Sequence, residues 1–174
     1  MPALWDILLQ RWIDYMQQTL PELILHTEVH DQEIMLRRVK DGTLDLVFCF
    51  GHPQTSELAI EEVLQIPLIL VSSQPRQSLD AALANNYMLV DWGTTFATAH
   101  AQYFPDMPAA HMRLALGRMA RDLLLNRGGS AYLAEPMVSE ELRRKKLFRV
   151  KDAPVMNRGA YAVYSGESDK QALI

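Results

Sequence analysis

The sequence predicts an α/β fold of two Rossmann-like lobes with a cleft between them. Three observations carry this. Helix-period and strand-period segments alternate along most of the 174 residues. One stretch, Asp31 to Phe50, reads as a complete helix–turn–strand unit of the kind that feeds a covered parallel sheet. A polar stretch, Ser72 to Ser78 with Pro75 inside it, separates two groups of such elements. Residues 1–71 with 154–174 are expected to form the first lobe and residues 72–153 the second.

The elements follow in order. Trp5, Leu8, Leu9, Trp12, Ile13 and Met16 recur at helical spacing, so residues 4–20 form an amphipathic helix that Pro21 ends. Residues 23–29 are expected to be a strand. Asp31 can cap the next helix, and Gly42 after Lys40 and Asp41 can take the left-handed turn that closes it. Leu44 to Phe50 is almost continuously apolar, as in a strand buried on both faces. Leu58 to Val71 reads as one or two short strands. Helices are expected over 79–84, 96–103, 119–126 and 138–145, and strands over 87–91, 112–116, 130–133, 147–150 and 160–164. Pro136 is expected to break the chain, and residues 168–174 to begin a last helix.

Composition narrows the function. The chain is 49% apolar and 22% charged, with net charge -4, which suits a globular protein and disfavours nucleic-acid binding by this chain itself. No run approaches the ~18 apolar residues of a membrane span. The start, with Asp6 and Arg11 inside its apolar part, does not read as a signal peptide. A single cysteine, Cys49, excludes an intrachain disulfide, and the cytoplasm is the expected compartment.

Several motifs together resemble one family, the effector-binding (substrate-binding) domain of LysR-type transcriptional regulators. They are the first helix ending in Leu20-Pro21-Glu22-Leu23, the helix–turn–strand VKDGTLDLVF over 39–48, the run LLLNRGGSAYLAEPMVSEELRRKKLFRV over 123–150, and the closing AYAVY over 160–164. The element WGTTF over 92–96 is similar to the flagellar-regulator branch. The resemblance implies a fold like the type II periplasmic binding proteins, a small-molecule effector in the interlobe cleft, and a homodimer or tetramer. It implies no cofactor, no catalysis and no membrane contact, with DNA bound only through an N-terminal domain outside this sequence. A solute-binding protein of the same fold is the alternative. The family pattern also has a strand before the first helix, which this sequence lacks. Hydroxyl residues often stand at the start of that helix, where Pro2 and Ala3 stand here.

The candidate ligand residues are His30, Asp31 and Gln32 at one strand-to-helix corner, Phe50 and Gly51 at the end of a strand, and Trp92, Thr94, Thr95 and Phe96 at a second corner. Helical N–H groups and hydroxyls at such corners suit an anion, and equally suit simple capping. His52 belongs to the Phe50–Gly51 loop. His26, Glu28 and His30 alternate along one strand face, a pattern open to metal binding or to a solvated surface. Arg143 to Lys146, preceded by Glu140 and Glu141, reads as a solvated helix end rather than a nucleic-acid patch. Gly129-Ser130 lacks the context of a nucleophile elbow.

Overall fold

The computed structural model describes residues 2–107 and 109–166. The chain divides into two compact units, 1–65 with 159–174 and 66–158. The expected helix over 168–174 lies outside the described residues. The polar stretch at 72–78 is not where the units divide. Strand β2 runs unbroken over Ala59–Ser72, and the division falls inside it, after Gln65. The returning strand β7, Met156–Tyr164, is divided in the same way before Gly159.

In the first unit, helix α1 combines Pro2–Leu4, a π-helical stretch Trp5–Leu9 and Gln10–Thr19. Pro21 cannot continue it, and the Leu20 amide makes its last bond, to the Met16 carbonyl at 2.8 Å. Helix α2, Gln32–Lys40, ends as its sequence predicts. Gly42 has φ 69°, its N–H reaches the Val39 carbonyl at 3.1 Å, and the Thr43 N–H reaches the Arg38 carbonyl at 2.9 Å. This doubly bonded closure satisfies carbonyls that the helix leaves open.

Strand β1, Leu46–Phe50, pairs antiparallel with β7, from Leu46↔Tyr164 to Phe50↔Ala160. The expectation of a parallel sheet is therefore corrected here: the late strand returns against β1 in the opposite direction. The strand order in this unit is β1-β7-β2. Met35 and Val39 of α2 pack on Val47, Cys49 and Val163. On the opposite face of β1, the Trp12 ring of α1 meets Phe48 edge-on at 5.3 Å between centroids. The strand expected over 23–29 does not form. Those residues lie outside any regular element and have no ladder partner among the described residues.

The second unit carries the parallel sheet that the alternating pattern predicts. Strand β3, Tyr87–Val90, pairs parallel with β4, Met112–Leu114, and with β5, Ser130–Ala134. Helices α4, Thr94–Tyr103, and α5, Gly117–Arg127, make the connections. The β2 segment Leu68–Ser72 pairs antiparallel with β5, and β6, Phe148–Arg149, pairs antiparallel with Val71 and Ser72. Ser78 caps the short helix α3, Leu79–Ala84, accepting the Ala81 N–H at 3.3 Å. Pro136 does not break the chain. It sits in the first turn of α6, Glu135–Arg143, where a missing N–H costs no helical bond.

Candidate functional site

The second unit's corner is built on Gly93. Strand β3 ends at Val90, and the chain must turn into α4 within three residues. Gly93 takes φ 85° and ψ 179°, a backbone conformation open essentially to glycine alone. Its N–H donates to Asp91 Oδ1 at 2.8 Å. Having no side chain, Gly93 leaves the helix end without a side-chain cap. The first bond of α4 runs from the Ala97 amide to the Gly93 carbonyl at 3.0 Å. The amides of Thr94, Thr95 and Phe96 thus precede the helical ladder, at the positive end of the helix dipole. Both threonines of this first turn are exposed.

Trp92 and Phe96 hold this corner from beneath. Both are buried. The Trp92 indole N–H donates to the Tyr132 carbonyl at 2.9 Å, and its ring lies over Gly117 at the start of α5. Phe96 packs against His100 and Tyr132, with centroids 5.4 and 5.7 Å apart. His100 shares a 2.8 Å hydrogen bond with the Tyr87 hydroxyl, and burial pushes its imidazole below the ordinary histidine value.

Sequence reasoning missed Arg158. This residue of β7 is only 6% exposed, and its guanidinium lies directly against Gly93. Burial lowers its pKa from the arginine value, and the charge of Asp91 opposes that shift. No local pattern marks it, because a lone arginine in the Met156–Tyr164 strand resembles any surface position.

The first unit's candidates are arranged differently. His30 is exposed, and its Nε2 lies 2.7 Å from Glu28 Oε2. His26 Nε2 lies 3.1 Å from the other Glu28 oxygen, and Arg38 of α2 pairs with both oxygens of the same carboxylate. The Arg38 guanidinium, first, and then the His30 hydrogen bond hold the Glu28 carboxyl down at about 2. Glu28 is therefore a hub for three cationic or neutral donors. Among the described residues no group of three or more His, Cys, Asp or Glu is placed to hold a metal.

Asp31 stands at the N-cap position of α2 with extended backbone, yet its side chain makes no capping bond. The first helical bond is Met35 N–H to the Asp31 carbonyl at 3.0 Å, so the amides of Gln32, Glu33 and Ile34 precede the ladder. Phe50 is buried, and Gly51, with φ 74°, donates its N–H to the Gly159 carbonyl at 3.1 Å. His52 meets the Tyr161 ring edge-on at 5.4 Å.

Two further sequence features have plain structural roles. The Ser130 hydroxyl is buried and donates to the Ala82 carbonyl. Arg143 and Arg144 both pair with Glu140 at the end of α6, a solvated helix end. No helix among the described residues is long and apolar enough to cross a membrane.

The family model described as the LysR substrate binding domain matches residues 1–174. The chain belongs to the LysR substrate-binding domain family. It is 26% identical over 182 residues to the HTH-type transcriptional regulator HdfR of Yersinia pestis (strain Pestoides F), covering 99% of this chain and 61% of that protein. HdfR of Yersinia pseudotuberculosis serotype O:1b (strain IP 31758) matches to the same extent. The chain thus spans about three fifths of the length of these curated relatives. Among solved structures, the bromide-bound regulatory domain of HypT from Salmonella typhimurium superposes with TM-score 0.74 at 15% identity, covering 95% of this chain and 85% of that one. DarR of Vibrio fischeri, solved in complex with DNA, gives TM-score 0.77 at 19% identity, covering 95% of this chain and 61% of that one. At such identities the likeness is one of fold, that of LysR regulatory domains, which are type II periplasmic-binding-protein-like.

Proposed function

We propose that this chain is the effector-sensing and oligomerising part of a cytoplasmic LysR-type transcriptional regulator, and that its effector is a small anion or carries an anionic group. The observation that carries this reading is the placement of Arg158. A buried positive charge lies against the turn from which α4 starts, next to three amides that precede the helical ladder. Charge and helix dipole act in the same direction there, and both favour an anion. The hydroxyls of Thr94 and Thr95 add hydrogen-bonding groups beside those amides. In the first unit, the uncapped start of α2 at His30–Gln32 and the Phe50–Gly51 turn are the corresponding candidates. The HypT regulatory domain, solved with bromide bound, is a relative in fold that takes an anion.

In this reading the chain is not an enzyme, forms homodimers or tetramers, and affects DNA only through the DNA-binding domain of the full-length regulator. The effector acts by stabilising one arrangement of the assembly over another. The test is a thermal-shift screen with halides and small mono- and dicarboxylates. A native-state ligand at 100 times its Kd stabilises by about 2.7 kcal/mol. A saturable rise in melting temperature that disappears in Arg158→Gln, with the variant still folding cooperatively, is the expected outcome. Equal rises in both proteins would overturn the assignment.

A further inference from the structure

Helix α4 is held to the second unit's sheet by one narrow stripe of side chains. Of its ten residues only Phe96 and His100 are buried, one helical turn apart. Its other residues are exposed or half-buried. One of the two anchors is therefore a titratable group. From β3, Tyr87 stacks on the imidazole with centroids 5.7 Å apart, and Tyr132 of β5 meets it edge-on at 5.9 Å. Phe96 and Phe104 flank it along the helix at 5.4 and 5.0 Å. The two tyrosine hydroxyls are the titratable groups that face it. Among the described residues no carboxylate and no cation shares a hydrogen bond or an ion pair with it.

The surroundings fix where the protons of this pair lie. Tyr87 is buried, and burial raises its hydroxyl pKa, so the phenol stays neutral. A buried O–H needs an acceptor, and His100 Nε2 stands 2.8 Å from it. The Tyr132 hydroxyl is engaged elsewhere, donating to the Pro154 carbonyl at 3.1 Å. His100 is thus neutral, with Nε2 accepting and its own proton on Nδ1. A second proton, added at Nε2, would meet the Tyr87 proton head-on. Tyr87 would then have to turn its O–H among apolar rings, and the imidazolium would lie buried without a counter-charge. Both costs vanish when α4 lifts away from β3.

We infer that His100 is an acid-operated release for α4: protonation at Nε2 detaches this helix from β3 while β3, β4 and β5 stay paired. The proton comes from solvent and returns to it when the helix docks again. Because α4 starts at the Gly93 corner, release also takes away the amides of the candidate anion site. That consequence rests on the anion reading above. The release itself does not, and it is measured with no ligand present.

The test is hydrogen exchange of backbone amides in the whole chain, followed by NMR from pH 7.5 to 5 and expressed relative to the intrinsic rate at each pH. The amides of Ala97 and Phe104, bonded to the Gly93 and His100 carbonyls, report on α4. Their protection should fall below the ordinary histidine value of 6.5, by up to about tenfold per pH unit, while amides of β3 and β5 keep theirs. In Tyr87→Phe/His100→Phe, two apolar rings replace the pair, and α4 protection should be flat with pH. The imidazole nitrogen shifts of the wild type at pH 7.5 should show the Nδ1–H tautomer. A flat wild-type profile would overturn the inference, as would the same fall in the double variant or a fall shared equally by α4 and β5. An Nε2–H tautomer would overturn it too, and that result needs no variant to fold.

Discussion

The Arg158 guanidinium takes the space that a side chain at residue 93 would need: its Nη1 lies 2.6 Å from where a Cβ on Gly93 would stand. Glycine is thus required twice at this corner, by its backbone angles and by its neighbour. Gly93→Ala is expected to cost about 1–3 kcal/mol from the strained backbone alone, with the displaced guanidinium adding to it. The two causes separate in a double-mutant cycle. With Arg158→Ala in the background, Gly93→Ala should cost measurably less in urea unfolding. Strict additivity would show that the two residues do not press on each other.

Trp92 and Gly117 form a second pair of this kind. A Cβ on Gly117 would stand 2.8 Å from the benzo edge of the indole. Gly117→Ala should therefore destabilise by about 1–3 kcal/mol through overpacking. In a Trp92→Phe background the ring no longer reaches that far, and the same change should cost little. Trp92→Phe alone should also lose stability, by about 1–3 kcal/mol, because the buried Tyr132 carbonyl loses its donor. Melting curves of the four proteins decide this.

Much of this fold was legible because its signals are local. Asp31, Gly42 and the apolar run to Phe50 announce α2, its closure and β1 within twenty residues of sequence. The alternation from Tyr87 to Ala134 does the same for β3, α4, β4, α5 and β5. What stayed hidden depends on partners distant in the chain. Residues 23–29 have strand-like composition, but a strand needs a neighbouring backbone, and composition cannot supply one. The direction of β7 against β1 is likewise a tertiary fact. At the candidate site, the Trp92–Phe96 corner could be located from its strand-to-helix pattern. That Trp92 and Phe96 support the corner from inside, while Arg158 supplies its charge, could not.

Stability should fall as the pH drops from 7.5 to 5. His100 is buried among Tyr87, Phe96, Phe104 and Tyr132, and burial lowers its pKa in the folded state. The unfolded chain, with an ordinary histidine value of 6.5, then binds more protons than the native state below that pH. Stability attributable to His100 is complete above pH 6.5 and is lost towards its lower folded value, at a slope of at most about 1.4 kcal/mol per pH unit for one proton. Glu28 acts in the same sense in a more acidic window, between its ordinary value of 4.5 and about 2. Chemical unfolding at stepped pH should show the first loss in wild type and a flatter profile between pH 7 and 5 in His100→Gln. An unchanged slope in the variant would assign the effect to other groups.

Cys49 offers a direct probe of the first unit's core. It lies in β1, is fully buried, and packs with Met35, Val39, Val47 and Val163. Burial raises its thiol pKa to about 11, so the reactive thiolate is scarce at neutral pH, and the surrounding side chains block access as well. Reaction with a disulfide reagent at pH 8 should be slow in the native protein and fast in denaturant. Its rate in the native protein then measures opening of β1. A native rate equal to the rate in denaturant would show that the packing around β1 does not shield the thiol.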